Sequence, residues 1–245
     1  MLVRPATNGT DTVEVYMVRR NEALQFLGGF YVFPGGKLEE EDFTPESFAR
    51  CRGLSPDTAE SIIHLRNGVP SLGYWIGALR ELFEEAGVLF ALDQEGHPIN
   101  SAMRPTNEWR QKLLEGESLL TELLQIAGWY YDVGSLRYVS HWVTPPGMPR
   151  RYDTRFFLCP MPPHQEPSLF RGEHVDACWI SPREALDRLN RGEMPIFPVT
   201  EVHLHDLMSF KSWDSLFPLE GGHGPLPNLP QKKIARAKPA LEHSE

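Results

Sequence analysis

Residues 72–88 read Leu72-Gly73-Tyr74-Trp75-Ile76-Gly77-Ala78-Leu79-Arg80-Glu81-Leu82-Phe83-Glu84-Glu85-Ala86-Gly87-Val88. Leu72, Ile76, Leu79, Phe83 and Ala86 recur at three- and four-residue intervals and predict an amphipathic helix over 72–86 whose apolar stripe faces the core. Ser71 stands where an N-cap belongs, and Gly87 where the chain leaves the helix. Glu81, Glu84 and Glu85 fall at i, i+3 and i+4, so three carboxylates share one patch near the C-terminal end. Like charges at that spacing cost an isolated helix about 0.2–0.5 kcal/mol per pair, and the partial negative charge of the helix C-terminus opposes them further. Arg80, adjacent to Glu81 and four residues before Glu84, is the local relief. A cluster of hard oxygen ligands suits Mg²⁺ or Mn²⁺, which would also anchor substrate phosphates. Taken without its neighbours, the same cluster reads as a solvated face.

Upstream of the helix, Phe30 to Phe33 reads as a short strand running into Pro34-Gly35-Gly36. This is a sharp bend whose backbone can approach a ligand closely, and the Gly36 carbonyl can serve a metal. Val13 to Val18 alternates as a strand ended by Arg19-Arg20-Asn21. Thr44 before Pro45 and Ser55 before Pro56 open two helix candidates, closed by Gly53 and by Asn67-Gly68. Downstream, helices are expected at 107–115, 119–127, 183–190 and 199–210, and strands at 136–143, 154–159 and 175–180. From Phe217 onward Pro and Gly dominate. Strands and helices do not alternate regularly, which predicts an α+β fold, a mixed sheet with helices against it. The expected organisation is one domain over 1–216, with helical insertions at about 43–70 and 100–128, and a Pro/Gly-rich tail over 217–245.

Composition narrows the function. Apolar residues make up 41% of the 245 and charged residues 23%, ordinary globular usage that excludes a disordered or fibrous chain. With 24 Lys and Arg against 33 Asp and Glu, the net charge of −9 repels phosphate backbones and argues against a nucleic-acid partner. Cys51, Cys159 and Cys178 are too few and too scattered for a disulfide framework or a zinc pattern and suit a reducing compartment, so cytoplasm is the expected location. No run of about 18 uncharged apolar residues occurs, and no membrane association is expected.

Together, Gly36 and Arg80-Glu81-Leu82-Phe83-Glu84-Glu85-Ala86-Gly87-Val88 resemble the box of the Nudix hydrolases: Gly, five residues, Glu, seven residues, then Arg-Glu-apolar-x-Glu-Glu-x-Gly-apolar. The second half fits at every fixed position. Two departures stand out. Asp42 takes the place of the first Glu, and 37 residues separate it from Arg80 where the box has 7, an insertion expected to loop out at the surface. A box so interrupted is similar to the branch that includes the peroxisomal acyl-CoA diphosphatase. Trp142-Val143-Thr144-Pro145, Arg151-Tyr152-Asp153-Thr154-Arg155-Phe156-Phe157, Glu173-His174-Val175 and Trp179-Ile180-Ser181-Pro182 support the same likeness, which spans Val13 to Phe210. Of the upstream motif carried by CoA-cleaving members of another branch, Arg20, Gly29 and Phe33-Pro34-Gly35-Gly36 keep the register, while Asn21 and Gln25 replace its Ser and second Arg.

The resemblance implies an α/β/α sandwich and metal-dependent hydrolysis of a diphosphate in a nucleotide derivative, CoA or acyl-CoA first. ADP-ribose, NADH and nucleotide sugars are the alternative substrates, and a fold-only binding module is the alternative of another class. It implies metal ligation by Glu81, Glu84 and Glu85 with the Gly36 carbonyl, and Arg80 holding a glutamate in place. Glu173 or its neighbour His174 is the candidate base, with Glu85 as a third choice, and Arg20, Gly35 and Arg155 are candidate substrate contacts. Of the other residues, Trp142 and Trp179 read as core, Tyr152 as a candidate to stack on adenine, and His203 and His205, two apart on a helix, as a poor metal pair. The leucines of 113–124 and Ile126 offer apolar surface for core packing, an acyl-chain lid or a homodimer contact.

Overall fold

A computed structural model describes residues 1–7, 9, 11–65, 68–99, 107–147, 151–169 and 172–217. The strands are β1 (Leu2–Pro5), β2 (Val13–Arg20), β3 (Tyr31–Val32), β4 (Cys51–Arg52), β5 (Ala91–Leu92), β6 (Tyr130–Asp132), β7 (Arg137–Val143), β8 (Asp153–Pro160) and β9 (His174–Ile180). The helices are α1 (Pro45–Ala49), α2 (Pro56–Ile62), α3 (Gly73–Ala86), α4 (Asn107–Leu114), α5 (Leu120–Ala127), α6 (Pro182–Asn190), α7 (Pro198–Met208) and α8 (Trp213–Leu216).

The main sheet is built around β2. One edge of β2 pairs antiparallel with β9 along its length; the other pairs with β1 near its start and with β3 near its end. β1 then runs parallel to β8, and β8 antiparallel to β7, so the sheet is mixed. Alternation sends Tyr16, Val18, Tyr138, Phe157 and Cys159 to one face, where they pack with Trp75, Ile76, Leu79 and Phe83 of α3. Val13, Val15, Met17, Leu158 and Ile180 go to the other face, against Leu186 of α6 and Leu204 and Leu207 of α7. The result is the expected helix–sheet–helix sandwich. No described helix is long and apolar enough to cross a membrane.

Outside the first insertion the expected elements appear with their ends moved by one or two residues, and the exceptions have identifiable causes. Gly53 does not close α1, which ends at Ala49 because Cys51 and Arg52 leave the helix to pair with β6. Nor does α2 reach Asn67-Gly68: it ends at Ile62, where the buried Ile63 takes extended geometry. β1, β4, β5 and β6 are two to four residues long, too short to show a period. Thr44 and Ser55 cap α1 and α2, accepting from the Ser47 and Thr58 amides. Ser71 does not cap α3. Its hydroxyl serves the end of α2 instead, at 2.6 Å from the Ile63 carbonyl and 2.7 Å from Glu60, while Leu72 begins α3 in helical geometry without a side-chain cap. Gly87 leaves α3 at φ 66° as expected. Asn67, part of the second insertion and the tail beyond Phe217 lie outside the described residues.

The first insertion does not loop out. Leu54, Ala59 and Ile63 are in the core beside α3, and β4 joins β6 and β5 in a small second sheet. Leu120 and Leu124 of α5 enter the same core, so much of the apolar surface of the second insertion is used within the chain. A buried hydroxyl chain ties the pieces together: Ser47 Oγ donates to the Glu41 carbonyl at 2.6 Å and lies 2.7 Å from Thr121 Oγ1, which is 3.0 Å from the Tyr131 hydroxyl. Thr121→Val keeps the shape and takes from the buried Tyr131 hydroxyl its partner, at about 1–3 kcal/mol for an unmet buried polar group. Urea unfolding should show a loss in that range, in a single cooperative transition.

Candidate active site

The site forms where the bend after β3 meets α3. Two glycines on α3, four residues apart, open a groove for the incoming chain. A Cβ on Gly73 would fall 2.3 Å from the Phe43 ring, and one on Gly77 2.5 Å from Leu38 and 2.8 Å from the Asp42 carboxylate. Segment 36–43, which ends in a 3-10 turn over Glu40–Phe43, therefore packs close against the helix and runs antiparallel to it. Its leading end brings Gly36 so near Glu81 that a Cβ there would stand 2.6 Å from both carboxylate oxygens. Gly35, at φ 150°, turns its amide to Glu85 Oε2 at 2.8 Å.

Arg80 joins the bend to the helix. It is 3% exposed, and Asp42, fully buried, receives Nε and Nη2 side by side at 3.0 Å each. Nη2 also donates to the Lys37 carbonyl at 2.7 Å. Nη1 reaches Glu84 at 3.1 Å and Glu81 at 3.3 Å. Asp42 is held in turn by the Glu39 amide at 2.8 Å. The residue that departs from the family box is thus the counter-ion of the central arginine. Glu41, not foreseen from the sequence, sits beside it with Oε1 3.9 Å from Arg80.

Burial dominates the electrostatics. It pushes Glu85 up to about 8, against the Gly35 hydrogen bond, and Glu81 to about 7, against Arg80. Glu41 is likewise pushed to about 7 and Glu84 is raised. Burial opposes the Arg80 charge, but the hydrogen bonds and charges of Asp42, with Glu84 and Glu81, outweigh it and hold the guanidinium firmly ionised. Four carboxylates, those of Glu41, Asp42, Glu81 and Glu84, thus gather round one guanidinium, with a fifth, Glu85, alongside. As donors they are hard oxygens short of positive charge, which fits a divalent cation. Among the described residues no three such side chains converge as a ready-made cage, because Glu81 and Glu84 are drawn to Arg80 and Glu85 to Gly35.

The strand side brings Arg20, Glu173 and His174 to Glu85. Arg20 Nη2 lies 3.3 Å from Glu173 Oε2, and Glu173 is largely exposed. His174 is buried, and burial followed by the Arg20 charge lowers it to about 4, so it is neutral. Arg155 is not brought to this cluster. It lies over the Tyr74 ring at 4.3 Å and pairs with Asp153, and Tyr74 is seven residues, about 10 Å of helix, from Glu81. Tyr152 stacks on Phe26, Trp142 is buried and Trp179 packs against the core. His203 is buried and His205 exposed, on different faces as expected. Arg110 of the second insertion was not foreseen: its Nε donates to the Glu84 carbonyl at 2.6 Å, placing a cation at the C-terminal end of α3.

Removing one partner of a buried ion pair costs about 3–5 kcal/mol, so Asp42→Ala should lose at least about 3 kcal/mol by urea unfolding. For pH, Glu81 and Glu85 bind protons more tightly folded than unfolded. The stability this contributes is complete below about pH 4.5 and is lost as pH rises through about 7 to 8. Melting temperature in chelator should therefore fall between pH 5 and 8.5, and Mn²⁺ should restore it most at the alkaline end.

The NUDT19 Nudix domain family matches residues 2–207. The chain is 30% identical to the acyl-coenzyme A diphosphatase NUDT19 of Gallus gallus, over 86% of this chain and 65% of that protein. It is 28% identical to the Homo sapiens protein of the same name, over 82% of this chain and 62% of that one. It therefore spans somewhat under two thirds of the length of these relatives. A crystal structure of a Nudix hydrolase from Alicyclobacillus acidocaldarius is similar with a TM-score of 0.73 and 33% identity, covering 87% of this chain and 90% of that one. With a matching family over 2–207, a shared fold and the box residues gathered around Arg80, the chain belongs to the Nudix family, in its NUDT19 branch.

Proposed function

We propose that this chain is a divalent-metal-dependent diphosphatase that cleaves CoA or acyl-CoA to 3′,5′-ADP and the corresponding phosphopantetheine. The observation that carries the reading is the set of buried carboxylates held round Arg80 beside a glycine bend, a donor set matched to a hard cation and a diphosphate. The preference for CoA over ADP-ribose, NADH or a nucleotide sugar draws on the name carried by the chicken and human relatives.

In this reading Glu81, Glu84 and Glu85, with the Gly36 carbonyl, hold Mg²⁺ or Mn²⁺, which supplies Lewis-acid charge at the diphosphate and makes the attacking water more acidic. Arg80 keeps Glu81 and Glu84 in place from below. Glu173 takes the proton of the water as its oxygen bonds to phosphorus and the bridging P–O bond breaks; its exposure suits proton exchange with solvent, whereas His174 is sealed from it. Arg20 meets the diphosphate from the strand side, beside the Gly35 backbone. Arg155, on β8 over Tyr74 and so two turns of α3 from the glutamates, is assigned in this reading to a phosphate set apart from the diphosphate. The three cysteines are unpaired, in keeping with cytoplasmic residence.

The test is a product assay on CoA, acetyl-CoA, ADP-ribose, NADH and a nucleotide sugar with Mg²⁺ or Mn²⁺. CoA compounds should be cleaved at the diphosphate with the highest kcat/KM. Glu85→Gln should lower kcat by at least about 100-fold, two decades or about 2.7 kcal/mol of barrier. Gly36→Ala should do similar harm with little change in melting temperature, because what it displaces is the carboxylate of Glu81, at the far end of a flexible side chain. Full activity in Glu85→Gln would end the proposal, as would a wild type inert towards every substrate.

A further inference from the structure

Where β2 meets β9 the pairing slips. The ladder runs in step from Val15↔Ile180 to Arg19↔Asp176, and the next pair is Arg20↔His174 rather than Arg20↔Val175. Val175 is the extra residue of a β-bulge. In an unbroken ladder Val175 would share the face of Ala177 and Trp179, towards α3, and His174 would point away. The bulge exchanges them: Val175 is 50% exposed and His174 3%. A fold that turns a valine out and a histidine in acts against hydrophobic burial, and such local conflict marks function.

The buried imidazole is aimed at one group. His174 Nε2 has no hydrogen-bond partner and lies 3.6 Å from Glu85 Oε1, while Glu85 Oε2 is held by Gly35. An unmet buried polar atom costs about 1–3 kcal/mol, and a movement of about 0.7 Å by a carboxylate at the end of a flexible side chain would bring the pair to hydrogen-bond distance. We propose that His174 is a positioning residue for Glu85: its Nε2–H donates to Oε1 and fixes the carboxylate as a cation ligand, in the way outer-shell partners orient ligands at metal sites. This rests on the proposed role of Glu85 in holding the cation.

The experiment uses the full chain and Mn²⁺ alone, with binding read from the EPR signal of free Mn²⁺ and stability from the melting temperature. His174→Leu, which fills the space without a donor, should bind Mn²⁺ about tenfold more weakly and melt at or above the wild-type temperature. His174→Gln, whose amide reaches the Nε2 position, should stay within threefold of wild type, and His174→Asn, too short, should follow His174→Leu. In a Glu85→Gln background the leucine exchange should change Mn²⁺ binding less than twofold. Equal Mn²⁺ binding by wild type and His174→Leu, or by the Gln and Asn variants, overturns the proposal; the Gln and Asn pair decides if the leucine variant does not fold. A wild type that binds no Mn²⁺ at millimolar concentration sinks the metal reading itself, a result distinct from variants that bind as wild type does.

Discussion

Everything at the site depends on one buried ion pair. Arg80 and Asp42 meet through two parallel hydrogen bonds with almost no exposure of either side chain. A charge so deeply placed is tolerable only when paired and hydrogen-bonded, and the pair makes full use of that condition. Asp42 is anchored by its own backbone turn, and Arg80 directs its remaining donors to the Lys37 carbonyl, Glu81 and Glu84. The bend that carries Gly35 and Gly36 is thereby fastened to the helix that carries the glutamates, and neither can shift without stranding a charge.

That anchor explains why the first insertion is compatible with the chemistry. The chain leaves the site only after Asp42 has been locked in place, and the segment beyond it is built inward: α1, β4 and α2 add to the core beside α3, and Ser47 and Thr121 bond the two insertions to one another. The second insertion contributes Arg110, whose guanidinium meets the carbonyl end of α3, where clustered acids and the helix dipole otherwise leave excess negative charge. The insertions are therefore structural supports of the site as well as candidates for substrate selection.

The acids that gather around Arg80 are held in a state that favours protonation or a cation. Burial raises Glu41, Glu81, Glu84 and Glu85 together, and one arginine does not neutralise them. Such a site gives up stability, and under the proposed function it does so in favour of cation binding. The bulge in β9, with its buried histidine and exposed valine, shows the same exchange on the strand side.

The order of residues alone determined α3, its buried stripe, its terminal glycine, the crowding of Glu81, Glu84 and Glu85, and the glycine bend, because each is a matter of spacing within a turn or two of chain. It also determined the caps at Thr44 and Ser55, which need only a neighbouring amide. Tertiary structure alone decided the partner of Arg80, since Asp42 lies 38 residues away in the chain and its packing depends on the absence of side chains at Gly73 and Gly77. It decided that Ser71 serves α2, that Arg155 stays apart from the glutamates, and that His174 faces Glu85, because register and long-range packing are collective properties that no single stretch encodes.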